Sequence, residues 1–166
     1  MSDKPDASCK HPASYEKHHD RGENFAPYDK PQWGSDVMAD VLRRTLALAE
    51  RAVARGVDPA RVVIDPAHDF GKNTRHSLEV TRRLDEMVDT GWPVLVSLSN
   101  KDFVGETLDL PVGQRLTGTL AATAVCALAG ARIYRVHEVV ETRQTVDMVW
   151  SIAGRRPPRR AIRGLQ

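Results

Sequence analysis

Aromatic residues are scarce: three each of Trp, Tyr and Phe, 5% of 166 residues. The core must therefore be built mainly from aliphatic side chains. Cysteine is nearly absent too. Cys9 and Cys126 are far apart in the chain, which excludes a disulfide-stapled framework and fits a cytoplasmic protein without disulfides. Cys126 falls inside an apolar helical pattern and reads as a small buried hydrophobe. Neither sign of charge dominates: 24 Lys and Arg stand against 22 Asp and Glu, a net charge of +2. Nothing global therefore calls for nucleic acid. No apolar run approaches the roughly 18 residues of a membrane span, and no signal-peptide segment follows the N-terminus.

What is present divides into three parts. Residues 1–34 are polar, rich in His, Pro, Asp and Lys, and have neither helical nor strand periodicity. They read as a disordered arm, or as sequence foreign to the domain that succeeds it. Cys9, His11, His18 and His19 match no standard zinc spacing, so no metal site is expected there. Residues 35–154 read as an α/β domain. Residues 155–166 form a basic Pro/Arg tail, expected to be solvated.

Inside the domain, hydrophobic periodicity predicts four helices. The first is capped by Ser35 and stopped at Gly56, with Val41, Leu42, Leu46, Ala49, Ala52 and Val53 as its apolar stripe. The second runs from Thr74 to Gly91, with Leu78, Thr81, Leu84, Met87 and Val88 facing inward. The third spans about Val112 to Leu128, with Leu116, Leu120, Ala121, Ala124 and Val125 on one side. The fourth covers about Thr142 to Ile152, with Val146, Val149 and Trp150 apolar. Between them lie three short strands, Val62–Ile64, Pro93–Ser99 and Ile133–His137. Their spacing of roughly 30–40 residues is that of βα units with right-handed crossovers, so the strands should be parallel. The domain can hold a real core but is too short for a complete eight-stranded α/β barrel, which takes about 200 residues or more.

Each strand delivers polar residues to one rim. Val62-Val63-Ile64 ends in Asp65-Pro66, then Phe70-Gly71-Lys72. A carboxylate there needs partners: it could accept N–H groups from an amine-bearing heterocycle, or cap its own loop. Phe70 belongs either to the rim or to the core. Lys101 follows Ser97, Ser99 and Asn100 and is better explained as a ligand contact than as core. Arg135 and His137 alternate along a strand, so they share a face and could clamp an anion.

As a set, four motifs resemble the dihydropteroate synthase family in its C-terminal half. They are Asp65-Pro66 through Phe70-Gly71-Lys72, Leu98-Ser99-Asn100-Lys101-Asp102-Phe103-Val104-Gly105, Arg115-Leu116-Thr117-Gly118-Thr119-Leu120-Ala121-Ala122, and Arg135-Val136-His137-Glu138-Val139. A related pterin-binding methyltransferase family shares the barrel, but the Ser99–Gly105 loop and Arg135-Val136-His137 favour the synthase. The resemblance implies the C-terminal part of a TIM (β/α)8 barrel, about three parallel strands and four helices. It implies a transferase of folate biosynthesis that joins a pterin diphosphate to p-aminobenzoate, with Mg²⁺ accompanying the diphosphate and no metal ligand of its own. Catalysis would fall to Lys101 and Asp65. Asp65 would hold the pterin nitrogens, Lys101 the pterin ring, Phe70 the aminobenzoate side, and Arg135 and His137 the diphosphate.

Two departures touch the site. The family's Gly-x-Gly-Phe-Gly-Lys is here Ala67-His68-Asp69-Phe70-Gly71-Lys72, and its Ser-Arg-Lys-Ser is Ser99-Asn100-Lys101-Asp102. Both add negative charge near one subsite, as in the divergent second copy found in actinobacteria. The family's N-terminal loop and its further pterin-binding residues have no counterpart in residues 1–34. The expectation is thus a truncated chain without synthase activity of its own. It would be a non-catalytic pterin- or phosphate-binding or regulatory homologue, or an unstable gene fragment. Open sheet edges would favour self-association or a homodimer.

Overall fold

The computed structural model describes residues 33–164. The first helix, α1, spans Val37–Ala54. Its cap is Asp36 rather than Ser35: the Asp36 carboxylate accepts the Ala39 N–H at 3.0 Å, a bond for which Ser35 lies one residue too early. Gly56, at φ +94°, stops it as expected. Val37, Met38, Val41 and Ala49 are buried.

The expected second helix is two. α2 (Thr74–Arg82) and α3 (Leu84–Val88) meet at Arg83, whose φ of −104° and ψ of 24° leave the helical basin. Arg83 holds the joint from outside, pairing with Asp36, Glu79 and Glu86. Asn73, not Thr74, caps α2, accepting the His76 N–H at 2.9 Å. Thr74 instead donates to Glu106. The inward face is Ser77, Val80, Thr81, Leu84 and Met87, while Leu78 is exposed.

Sequence periodicity missed α4 (Asp102–Leu108). It is seven residues long and contains Gly105, too short to establish a period. The third predicted helix is α5, Leu116–Ala129. Its buried residues are Thr119, Thr123, Cys126 and Ala127, not the Leu120–Ala121–Val125 side; Val125 is exposed. α5 is apolar nearly all round, so its pattern specified no face. Burial pushes the Cys126 thiol up to about 12. The last helix, α6 (Val139–Ile152), buries Val146 and Val149 as expected. The described residues thus hold six α-helices and one 3₁₀ turn rather than four helices.

The strands are parallel but shorter than expected. β1 (Leu95–Val96) pairs with β2 (Ile133–Tyr134), with Leu95 opposite Ile133. The Val62–Ile64 segment contributes a single parallel bridge, Ile64 to Val94. Leu95 donates its N–H to Ile64, while the carbonyls of Val94 and Val96 accept from Ile133 and Arg135. The β1 segment is therefore central and the other two flank it. Among the described residues each flanking segment pairs with the β1 segment alone. Val94, Val96 and Leu98 are buried, while Leu95 and Ser97 between them are half-buried.

The tail is less free than its composition suggests. Arg155 donates to the Ala127 and Leu128 carbonyls near the end of α5. Arg156 and Arg159 pair with Asp147 of α6. Among the described residues no helix is long and apolar enough to cross a membrane. Cys9, His11, His18 and His19 lie outside the described residues.

Candidate functional site

The rim loop is coiled by three left-handed residues in alternation: Ala67 (φ +54°), Asp69 (φ +66°) and Gly71 (φ +63°). Asp65 starts the coil by accepting the Ala67 N–H at 2.7 Å on Oδ1. It therefore caps its own loop; among the described residues its second oxygen takes no hydrogen bond. Alternation throws His68 inward and Phe70 outward. His68 is fully buried and stacks on Phe103 at 5.7 Å. Phe70 is 65% exposed, which settles it as rim rather than core.

Ala67 and Asp69 stand where the family pattern has glycines, and the left-handed basin costs an L side chain roughly 1–2 kcal/mol. Glycine loses part of that gain to unfolded-state entropy. Ala67→Gly should therefore raise stability by about 0.5–1 kcal/mol, read as an upward shift of the thermal midpoint. A lower midpoint would mean the loop is not held in this coil.

Lys101 precedes α4 and reaches back across the rim. Its Nζ donates to the His68 carbonyl at 3.0 Å and lies 4.3 Å from the Phe70 ring centre. This is a cation–π contact on an exposed ring. Lys72, which sequence reading gave no role, lies behind it. Its ammonium donates to the Ala67 carbonyl at 3.0 Å and sits 4.5 Å from the Trp33 ring. Burial pushes Lys72 down to about 8; Asp65 and Asp69 oppose the shift, while Arg44 and Lys101 add to it. Trp33, counted with the arm by composition, donates its indole N–H to the Gly71 carbonyl and packs against the core.

Arg135 and His137 lie past the end of β2 at Tyr134, so the strand does not impose on them the shared face expected from alternation. Arg135 is exposed and donates from Nε to Ser97 Oγ at 3.2 Å. His137 is exposed and its backbone N–H donates to Ser99 Oγ at 3.3 Å. Both are thus tied to the end of the β1 segment, and neither is hydrogen-bonded to the Lys101–Phe70 pair. The structure brings Phe70, Lys101 and the Asp65 loop together, with Arg135 and His137 on the neighbouring strand end.

Sequence reasoning missed Arg115. It is 3% exposed. Its guanidinium donates to the carbonyls of Leu110 (3.0 Å), Asn100 (2.8 Å) and Lys101 (3.2 Å), and to Asp102 Oδ1 (2.9 Å). It thereby fixes the main chain from which Lys101 projects. Gly105 is the matching signal: a Cβ there would lie 2.3 Å from the guanidinium carbon.

The model of the pterin binding enzyme family matches residues 17–137, a span that begins inside the polar leader. A Mycobacterium leprae protein named inactive dihydropteroate synthase 2 is 62% identical over 129 residues, 78% of this chain and 44% of the relative. The Escherichia coli dihydropteroate synthase is 33% identical over 131 residues, 79% of this chain and 46% of that one. Among solved structures, the Yersinia pestis dihydropteroate synthase superposes with a TM-score of 0.71 at 34% identity, covering 74% of this chain and 50% of that one. The chain spans about half the length of the relatives it matches.

Proposed function

We infer function from one premise: the chain belongs to the pterin binding enzyme family. Within it, the chain is dihydropteroate synthase-like, and its strands are proposed to correspond to the last three of a TIM barrel. Its proposed role is to bind a pterin and its diphosphate without catalysing condensation with p-aminobenzoate. The observation that carries this reading is the Lys101 ammonium fixed on the His68 carbonyl and over the exposed Phe70 ring. It presents a flat aromatic and a cation at one rim, on the loop that Asp65 starts. Lys101 and Asp65 would hold the pterin, Phe70 would face a second ring, and Arg135 and His137 would take the diphosphate.

Among the described residues no three or more His, Cys, Asp or Glu side chains converge to hold a metal. Mg²⁺ is ordinarily held by one or two carboxylates together with substrate phosphates, so a Mg²⁺ here is proposed to come with the diphosphate. Condensation needs two reactants held in register, and Asp69 and Asp102 put carboxylates at the side where the second would enter. The name of the M. leprae relative supports the same reading.

Calorimetric titration with 6-hydroxymethylpterin and with pyrophosphate tests it. Both should bind weakly, pyrophosphate more weakly at high salt because the rim is solvated. Arg135→Ala should weaken pyrophosphate by about tenfold, since an arginine offers a charge-assisted, two-pronged contact. Lys101→Ala should weaken the pterin. Unchanged binding in both variants would remove this rim as the site.

A further inference from the structure

Asp69 is not a free carboxylate on the loop. Ser77 Oγ donates to its Oδ1 at 2.9 Å, and the Phe103 N–H donates to its Oδ2 at 3.3 Å. Its own N–H donates to Ser77 Oγ at 3.1 Å. Ser77 is fully buried, so this network anchors the side chain between the loop that carries Phe70 and the turn that carries Lys101. Beside the His68–Phe103 stacking, two hydrogen bonds join those segments: Lys101 to the His68 carbonyl, and the Phe103 N–H to Asp69. The second of them fixes a negative charge one residue from the exposed ring. Asp102, two residues ahead of α4's buried Val104, adds another carboxylate on the same turn, with its side chain 78% exposed.

We propose that Asp69 sets the charge preference of the ring subsite made by Phe70 and Lys101. This subsite admits an uncharged aromatic amine and turns away an aryl carboxylate. A ring stacking on Phe70 meets the Lys101 ammonium, but that ammonium already has the His68 carbonyl and the ring face as partners. An incoming carboxylate would gain a share of one engaged cation while approaching an anchored anion. A neutral amide of the same shape would lose neither contact. The proposal rests on the reading of this rim as a ring-binding site and names the class of second ligand it accepts.

The test is a titration of the full chain with p-aminobenzoate and with its neutral isostere p-aminobenzamide, each with and without 6-hydroxymethylpterin. The wild type should prefer the amide at least about tenfold at low salt, and the preference should shrink in 0.5 M NaCl, roughly as screening over a Debye length requires. Asp69→Gly suits the left-handed backbone and removes the carboxylate. Asp69→Asn keeps an acceptor for Ser77 and removes the charge, losing only the longer Phe103 N–H contact, which an amide nitrogen cannot accept. Both variants should bring the two affinities to within about threefold. A wild type that binds both ligands equally, a ratio unchanged in both variants, or no binding of either ligand to any of the three proteins overturns the proposal. Pterin titrated alone reports separately on the proposed function, so the two readings can fail independently.

Discussion

Arg115→Ala should cost about 3–5 kcal/mol, a large fraction of the roughly 5–15 kcal/mol that stabilises a domain. The guanidinium is buried and satisfies the Leu110, Asn100 and Lys101 carbonyls as well as Asp102. Its removal leaves those acceptors to be hydrated or stranded, and opens a cavity against Gly105. Each stranded acceptor costs roughly 1–3 kcal/mol, less where water can enter. Arg115→Lys should recover less than half of the loss. A single ammonium cannot span Leu110 and Asn100, which the fork reaches from Nε and Nη1. Gly105→Ala should act through the same contact, because the added methyl displaces the guanidinium. Denaturant midpoints of the three variants decide this. A loss under about 1 kcal/mol for Arg115→Ala would show that solvent replaces the guanidinium freely, and that the Lys101 turn is held by something else.

The places of Asp65 and Arg135 were legible in sequence because each interrupts an apolar run with a polar group, and that of Lys101 because it follows the Ser99-Asn100 end of the run between them. A buried strand rarely tolerates such a group without a purpose. The parallel order of the three segments was legible from their spacing. Arg115 was not, since a charged residue at the start of a helix reads as solvated, and only the contact with Gly105 shows otherwise. The faces of α5 were illegible for the opposite reason: nearly every position is apolar, so packing alone chose the Thr119–Thr123–Cys126 side. Helix α4 is too short to have a period. The arginines of the tail looked solvated because nothing in their own segment pairs with them. The partner of Arg156 and Arg159, Asp147, lies back on α6; burial pushes its carboxyl up, and Arg143 with Arg156 holds it below the usual carboxylate range. The loop changes at Ala67 and Asp69 were legible as departures from the family pattern. That both adopt a left-handed backbone was not.

Acid should unfold this domain through His68. The Thr81 hydroxyl gives its one proton to the Ser77 carbonyl at 2.8 Å. Its oxygen can therefore only accept from His68 Nε2 at 3.1 Å. That fixes the neutral Nε2–H tautomer and leaves Nδ1 a buried lone pair without a hydrogen-bond partner among the described residues. Protonation would create an N–H at Nδ1 with nothing to receive it, in a fully buried ring beside Lys72 and Lys101. Burial first, then those two cations, pushes His68 down to about 3 from an ordinary value of 6.5. The sign is set by where the proton binds. The unfolded chain takes it up near pH 6.5 and the folded chain only near 3, so between those values the unfolded state holds more protons. Stability therefore falls as pH falls, by up to about 1.4 kcal/mol per pH unit and several kcal/mol over the window, comparable to the whole stability of a small domain. His68→Gln keeps an N–H for Thr81 and does not titrate. It should be less stable than wild type at pH 7.5, where the stacking on Phe103 is lost, yet the gap should narrow steadily toward pH 4. Urea midpoints of both proteins at half-unit intervals measure this, and parallel curves across that range would show that His68 is not the group through which acid acts.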